Sequence, residues 1–153
     1  MEVRQGIDIT SVRRVKQVIE RQGRRFLDRV FTPRERAYCD AQRMKYEHYA
    51  ARFAAKEAAM KAMEVRRESG FRLREIEILR RPTGQPFISI SPASRKRFGL
   101  PRKYRMELSL THEREYAMAL VLLVMPGRNL MIPAQAGTSE RPVPRRGRNS
   151  KKR

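Results

Sequence analysis

Eighteen consecutive residues, Glu47 to Glu64, contain neither Gly nor Pro and are rich in Ala, so the spacing predicts a long α-helix there. Its apolar stripe is Ala50, Phe53, Ala54 and Ala58. Glu57 lies one turn after Phe53 and one turn before Lys61, which puts all three on one side of the helix. A carboxylate at the edge of an apolar stripe needs a partner, and two are open: Lys61 or a metal ion. As a simple i,i+4 pair, Glu57–Lys61 would stabilise the helix by only about 0.2–0.5 kcal/mol.

Other elements fall on either side of this helix. Val3, Ile7 and Ile9 share one face of a short strand, with Asp8 on the other. Thr10 or Ser11 can cap a following helix that runs to about Val30 along the stripe Val12, Val15, Ile19, Phe26 and Val30. Arg14, Arg21 and Arg25 lie on a different face of it. Thr32-Pro33-Arg34-Glu35 reads as a capping box with Pro in the first turn, opening a helix through Tyr38 towards Met44. After a polar loop ending at Gly70 the period becomes two: Ile76 and Ile78, then Phe87 to Ser91 beyond the turn Thr83-Gly84-Gln85-Pro86. Met106, Leu108 and Leu110 alternate likewise, and a tight connection at Glu113-Arg114-Glu115 leads into the apolar strand Tyr116 to Met125. Helices precede strands, so the expectation is α+β, with helices packed on a mainly antiparallel sheet.

The length of 153 residues suits one domain, 1–125, followed by a basic tail, 126–153, that is expected to be disordered. The chain holds 36 Lys and Arg against 16 Asp and Glu; the tail contributes eight basic residues and one acid, so residues 1–125 still carry +13. Such a surface favours anionic partners: nucleic acid, phosphorylated cofactors or an acidic protein. Cys39 is the sole cysteine and cannot form an internal disulfide, and the N-terminus lacks the apolar core of a signal peptide. The apolar run Ala117 to Met125 is too short to cross a bilayer. A cytoplasmic protein is expected. No Walker loop, dinucleotide fingerprint or nucleophile elbow is present, and two histidines, His48 and His112, give no zinc spacing.

Two further residues stand at strand ends. Asp8 could bind a metal or serve as an auxiliary helix cap, and His112 could be structural or catalytic. The ordered set Gly6-Ile7-Asp8-Ile9, Phe31-Thr32-Pro33-Arg34-Glu35, Arg52-Phe53-Ala54-Ala55-Lys56-Glu57-Ala58, Gly84-Gln85-Pro86 and Ser109-Leu110-Thr111-His112-Glu113 resembles the holo-[acyl-carrier-protein] synthase family. The resemblance covers about Val3 to Met125. It implies the 4′-phosphopantetheinyl transferase fold, a homotrimer with active sites between subunits, and transfer of phosphopantetheine from coenzyme A to a serine of an acidic acyl carrier protein. It implies Mg²⁺ held by Asp8 and Glu57, a catalytic role for Glu57 and Lys61, and contacts to cofactor phosphates from Arg52, Lys56, Lys61 and His112. Arg14, Arg21 and Arg25 would dock the carrier protein. The chain departs from the family where Lys61-Ala62 is followed by Met63-Glu64-Val65-Arg66-Arg67 instead of a glycine-rich loop. The competing reading is a basic nucleic-acid-binding protein without catalytic activity; no nucleic-acid module or aromatic stacking platform supports it.

Overall fold

A strand that opens the chain lies directly against the long helix, and this contact organises the rest. In the computed structural model, residues 1–65 and 70–127 are described. Within them the order is β1 (Glu2–Ser11), α1 (Val12–Gln22), α2 (Arg24–Val30), α3 (Pro33–Asp40) and α4 (Lys45–Met63), then β2 (Ile76–Arg80), β3 (Pro86–Ile90), α5 (Pro92–Arg97), β4 (Arg105–His112) and β5 (Tyr116–Met125). A three-stranded antiparallel sheet runs β1-β5-β4, and β2 and β3 form a separate antiparallel hairpin. The expected α+β class holds. The tail is outside the described residues from 128 onwards.

Sheet and helix meet through small residues. Ala54, Ala55, Ala58, Ala59 and Ala62 of α4 are all buried, as are Ala117, Ala119, Val121 and Leu123 of β5. Gly6 of β1 marks the tightest approach. A Cβ at this position would come within 2.0 Å of the Ala58 carbonyl oxygen and 2.7 Å of the Ala62 nitrogen, so only glycine fits. That approach carries Asp8, two residues further on the same strand face, towards α4. A second core cluster joins α1, α2 and α3 to the first half of α4, with Phe31 set edge-on between Phe26 and Tyr49.

Three boundaries differ from expectation. The first helix is two helices: Gly23 adopts φ 54° and ψ −132°, its N–H closes α1 on the Ile19 carbonyl at 2.7 Å, and α2 restarts after it. The next helix ends at Asp40, short of Met44. Helix α5 was hidden in a Ser91-Pro92 pair, where the Ser91 hydroxyl accepts from the Ser94 N–H at 3.1 Å and Pro92 opens the helix. The capping box at Thr32 and Glu35 is present as read.

The first strand also turns an unexpected side outward. Val3, Ile7 and Ile9 are exposed, and across the β1–β5 register Ile7 faces Leu120 and Ile9 faces Met118, both exposed as well. This apolar sheet face points away from α4.

Candidate active site

Asp8 and Glu57 reach one pocket from two elements. It has a volume of about 280 Å³ and is lined by Asp8, Thr10, Arg14, Val15, Val18, Phe26, Phe53 and Glu57, among others. Asp8 arrives on β1 because Gly6 lets that strand press on α4; Glu57 arrives from the middle of α4, buried at its base. The Thr10 hydroxyl donates to Asp8 Oδ2 at 2.8 Å and fixes the carboxylate. Lys61, one turn beyond Glu57, places its ammonium 2.9 Å from Asp8 Oδ1 and donates to the Ile7 carbonyl oxygen at 2.7 Å. Asp8, Glu57 and Lys61 are therefore gathered in one place, as their spacing on strand and helix allowed.

Glu57, Phe26 and Phe53 also line a larger adjoining cleft of about 760 Å³. Its floor is apolar, with Val30, Met60, Phe71 and Leu73, and its rim is mainly cationic, with Arg25, Arg29, Arg72 and Arg74 against one acid, Asp28. Arg14 and Arg21 are exposed on α1, and Arg25 continues the basic side onto α2. Glu57 thus opens onto this basic cleft, and Arg14 lies in the pocket that holds both carboxylates, an excess of positive charge that concentrates anions there.

Arg52 and His112 occupy a different pocket, of about 310 Å³, together with Tyr38, His48, Arg80, Gly84, Pro86 and Thr111. The Arg52 guanidinium stacks over the Tyr38 ring at 4.0 Å, and its buried Nε has no hydrogen-bond partner among the described residues. His112 pairs through Nδ1 with Glu47 at 3.1 Å and sets its ring edge-on to His48, centroids 4.9 Å apart. Burial, with His112 and Arg52 close by, holds His48 below the ordinary histidine pKa. Tyr38, His48 and Arg80 were missed by sequence reasoning as members of this pocket. The signals were faint: Tyr38 follows the capping box, and Arg80 precedes the Gly84-Gln85-Pro86 turn.

Lys56 must be corrected. Its ammonium is fully buried, 2.8 Å from Glu35, and donates to the carbonyls of Ile76 at 2.5 Å and Leu73 at 3.1 Å. All three donors are used inside the protein, so it has none to offer a cofactor phosphate. Cys39 is buried too, and desolvation pushes its thiol up to about 12, which keeps it protonated and inert.

Metal capacity rests on the two carboxylates. No cluster of three His, Cys, Asp or Glu side chains among the described residues could hold a metal ion. Two carboxylates facing one pocket, with the Thr10 and Ser11 hydroxyls beside them, are a hard-oxygen donor set that suits Mg²⁺, which commonly takes one or two protein carboxylates and fills its remaining positions with substrate oxygens and water. No helix among the described residues is long and apolar enough to cross a membrane.

Residues 4–121 match the model of the 4′-phosphopantetheinyl transferase superfamily. A holo-[acyl-carrier-protein] synthase of Koribacter versatilis is 43% identical over 119 residues, 77% of this chain and 94% of the relative. One of Ruminiclostridium cellulolyticum is 39% identical over 124 residues, 80% of this chain and 92% of the relative. Among solved structures, a Chronobacterium ammoniagenes ACPS–CoA complex superposes with a TM-score of 0.74 at 26% identity, covering 83% of this chain and all of the other. The Helicobacter pylori holo-[acyl-carrier-protein] synthase in complex with coenzyme A gives a TM-score of 0.68 at 28% identity, covering 78% of this chain and 98% of the other.

Proposed function

This chain belongs to the 4′-phosphopantetheinyl transferase superfamily, and from that membership we infer that it is a holo-[acyl-carrier-protein] synthase. It transfers 4′-phosphopantetheine from coenzyme A to a serine of apo acyl carrier protein, releasing 3′,5′-ADP. The observation that carries the residue assignment is the meeting of Asp8 and Glu57 on one pocket, which adjoins through Glu57 a cleft rimmed by arginines.

In this reading Asp8 and Glu57 hold Mg²⁺, which when bound would neutralise charge on the pyrophosphate of coenzyme A. Glu57, at the junction of the small pocket and the larger cleft, takes the proton of the carrier serine. The serine Oγ bonds to the β-phosphorus as the bond to the departing 3′,5′-ADP oxygen breaks. Lys61 supplies a cation to the developing negative charge, and the cost of that step falls because the charge meets fixed partners instead of reorganising water. Thr10 keeps Asp8 in its orientation.

Arg52 and His112 offer the second anion pocket for a cofactor phosphate, with His48 and Arg80 beside them. The buried, unpartnered Arg52 Nε supports this assignment, since an orphaned cationic donor is costly until an anion meets it. Arg14, Arg21 and Arg25 dock the acidic carrier protein. The exposed apolar face formed by Val3, Ile7, Ile9, Met118, Leu120 and Leu122 supports assembly into the homotrimer that the family resemblance implies. The enzyme works in the cytoplasm, in fatty-acid synthesis.

The test is direct. The full chain, incubated with coenzyme A, Mg²⁺ and apo acyl carrier protein, should raise the carrier's mass by one phosphopantetheinyl group. A carrier whose mass is unchanged with both substrates saturating overturns the assignment.

A further inference from the structure

Each carboxylate oxygen of Asp8 already has a partner before any substrate arrives. Thr10 holds Oδ2 at 2.8 Å, and the Lys61 ammonium lies 2.9 Å from Oδ1 while also donating to Ile7 O at 2.7 Å. The two ends of the Lys61–Asp8 pair differ in freedom. The Asp8 side chain is 17% exposed, whereas that of Lys61 is 53% exposed at the end of a flexible four-carbon stem. The carboxylate is fixed and the ammonium can leave.

We propose that Lys61 is a resident counter-ion of Asp8 that gives way to the divalent cation and moves to the phosphate of the donor. This rests on Asp8 and Glu57 being the metal ligands. An ammonium on Oδ1 opposes a second cation at the same carboxylate, since like charges at contact repel even where solvent screens them. A phosphorylated donor removes that opposition by offering Lys61 a new anion within reach of its stem. Lys61 therefore links the two binding events: donor drawing Lys61 away strengthens the hold of Asp8 on the metal, and by linkage the metal strengthens the hold on donor by the same factor. Before binding, the same ammonium keeps a poorly solvated carboxylate compensated.

The experiment is a titration of Mn²⁺, as a spectroscopic stand-in for Mg²⁺, into the full chain without coenzyme A. Lys61→Met should bind Mn²⁺ about two- to fivefold more tightly than wild type, the range expected for an exposed ion pair. Lys61→Arg, which keeps the charge, should stay near wild type. Unchanged or weaker Mn²⁺ binding by Lys61→Met overturns the proposal. With saturating coenzyme A the advantage of Lys61→Met should vanish, because wild-type Lys61 has then left Asp8; an advantage of unchanged size overturns the exchange. Asp8→Asn tests the underlying metal assignment separately. If it binds Mn²⁺ as wild type does, Asp8 is not a ligand, whatever Lys61 does.

Discussion

Helix α4 carries two lysine–carboxylate pairs five residues apart, at nearly equal contact distances and with opposite characters. Lys56 lies 2.8 Å from Glu35, and neither side chain is exposed. Lys61 lies 2.9 Å from Asp8, and its side chain is half in solvent. Around the first pair both carboxylate oxygens and all three ammonium protons are used: Glu35 Oε1 accepts from the Ile78 N–H, Oε2 from Thr32 N–H and Lys56, and Lys56 donates onward to two carbonyls. That pair ties α3, α4 and β2 together. Desolvation pulls the Lys56 pKa below its ordinary value, while Glu35 pulls the other way. The second pair joins the same helix to β1 at the edge of a pocket. Distance alone does not distinguish a structural ion pair from one poised for chemistry; burial and the saturation of the surrounding donors do.

The largest effect should come from breaking the closed pair. Glu35→Gln or Lys56→Met alone leaves one buried charge uncompensated and should cost about 3–5 kcal/mol of unfolding free energy in urea. The double variant, Glu35→Gln with Lys56→Met, removes both charges, keeps an acceptor for Ile78 N–H, and should recover much of that loss. Lys61→Met should cost no more than about 1 kcal/mol. Equal losses at Lys56 and Lys61 would erase the contrast between the pairs.

Activity should sort the pairs the other way. Asp8→Asn and Glu57→Gln should each lower turnover by about 10²–10³-fold, the scale for losing one group that stabilises transition-state charge. Melting temperatures should stay within a few degrees of wild type. A variant that keeps near wild-type turnover in saturating Mg²⁺ is removed from the site. On the open side, reversing both Arg14 and Arg21 to Glu should raise the KM for carrier protein about tenfold, an effect that fades at high salt, and leave the apparent affinity for coenzyme A unchanged. Equal loss for both substrates would mean that this helix face is not where the carrier docks.

Periods of two on the strand and four on the helix made the faces of Asp8, Glu57 and Lys61 legible, but they left each role open between structure and chemistry, and only the family resemblance joined the three into one site. The α+β class and the capping box at Thr32 were legible for the same local reason. Lys56 was not. It sits beside Glu57 in the same run of residues, and only packing against α3 and β2 decides that it points into the protein. Tyr38, His48 and Arg80 were invisible as a group because their pocket is made by elements distant in the chain. The outward turn of Val3, Ile7 and Ile9 was hidden too, since alternation fixes which residues share a face but not which face α4 covers. Gly23, by contrast, was in plain view and undervalued as a helix breaker.

A smaller effect concerns the end of α4, where the chain departs from the family's glycine-rich loop. Glu64 takes φ 56° and ψ 30°, a left-handed conformation, and pairs with Arg4 at 2.9 Å. It is the one non-glycine residue with positive φ among those described. Glu64→Gly removes the Cβ penalty at the cost of an exposed ion pair, and should stabilise the fold by about 0.5–1 kcal/mol in urea. A loss of stability would mean that the Arg4–Glu64 pair, and not the backbone, governs this turn.

The smallest expected effect is one of pH, and it tests whether the second pocket behaves as a closed or an open site. His48 faces His112, Tyr38, Arg52, Arg80 and Glu47, and burial with the nearby positive groups lowers its pKa below the ordinary 6.5. Below pH 6.5 the unfolded chain therefore binds a proton that the folded chain resists. The contribution of this histidine to stability is complete above about pH 6.5 and is lost as pH falls towards the folded-state pKa. Melting temperature should drop between pH 7.5 and 5.5, and His48→Gln should show a slightly smaller drop because one proton-binding difference is gone. An equal or larger drop in the variant would mean that His48 is not strained by its neighbours. A phosphate seated between Arg52 and His112 would reverse the field at His48 and favour its charged form. Coenzyme A should then stabilise the wild type more at pH 6 than at pH 8, and that gain should shrink in His48→Gln. If the gain is the same at both pH values, the donor's phosphate does not sit in this pocket.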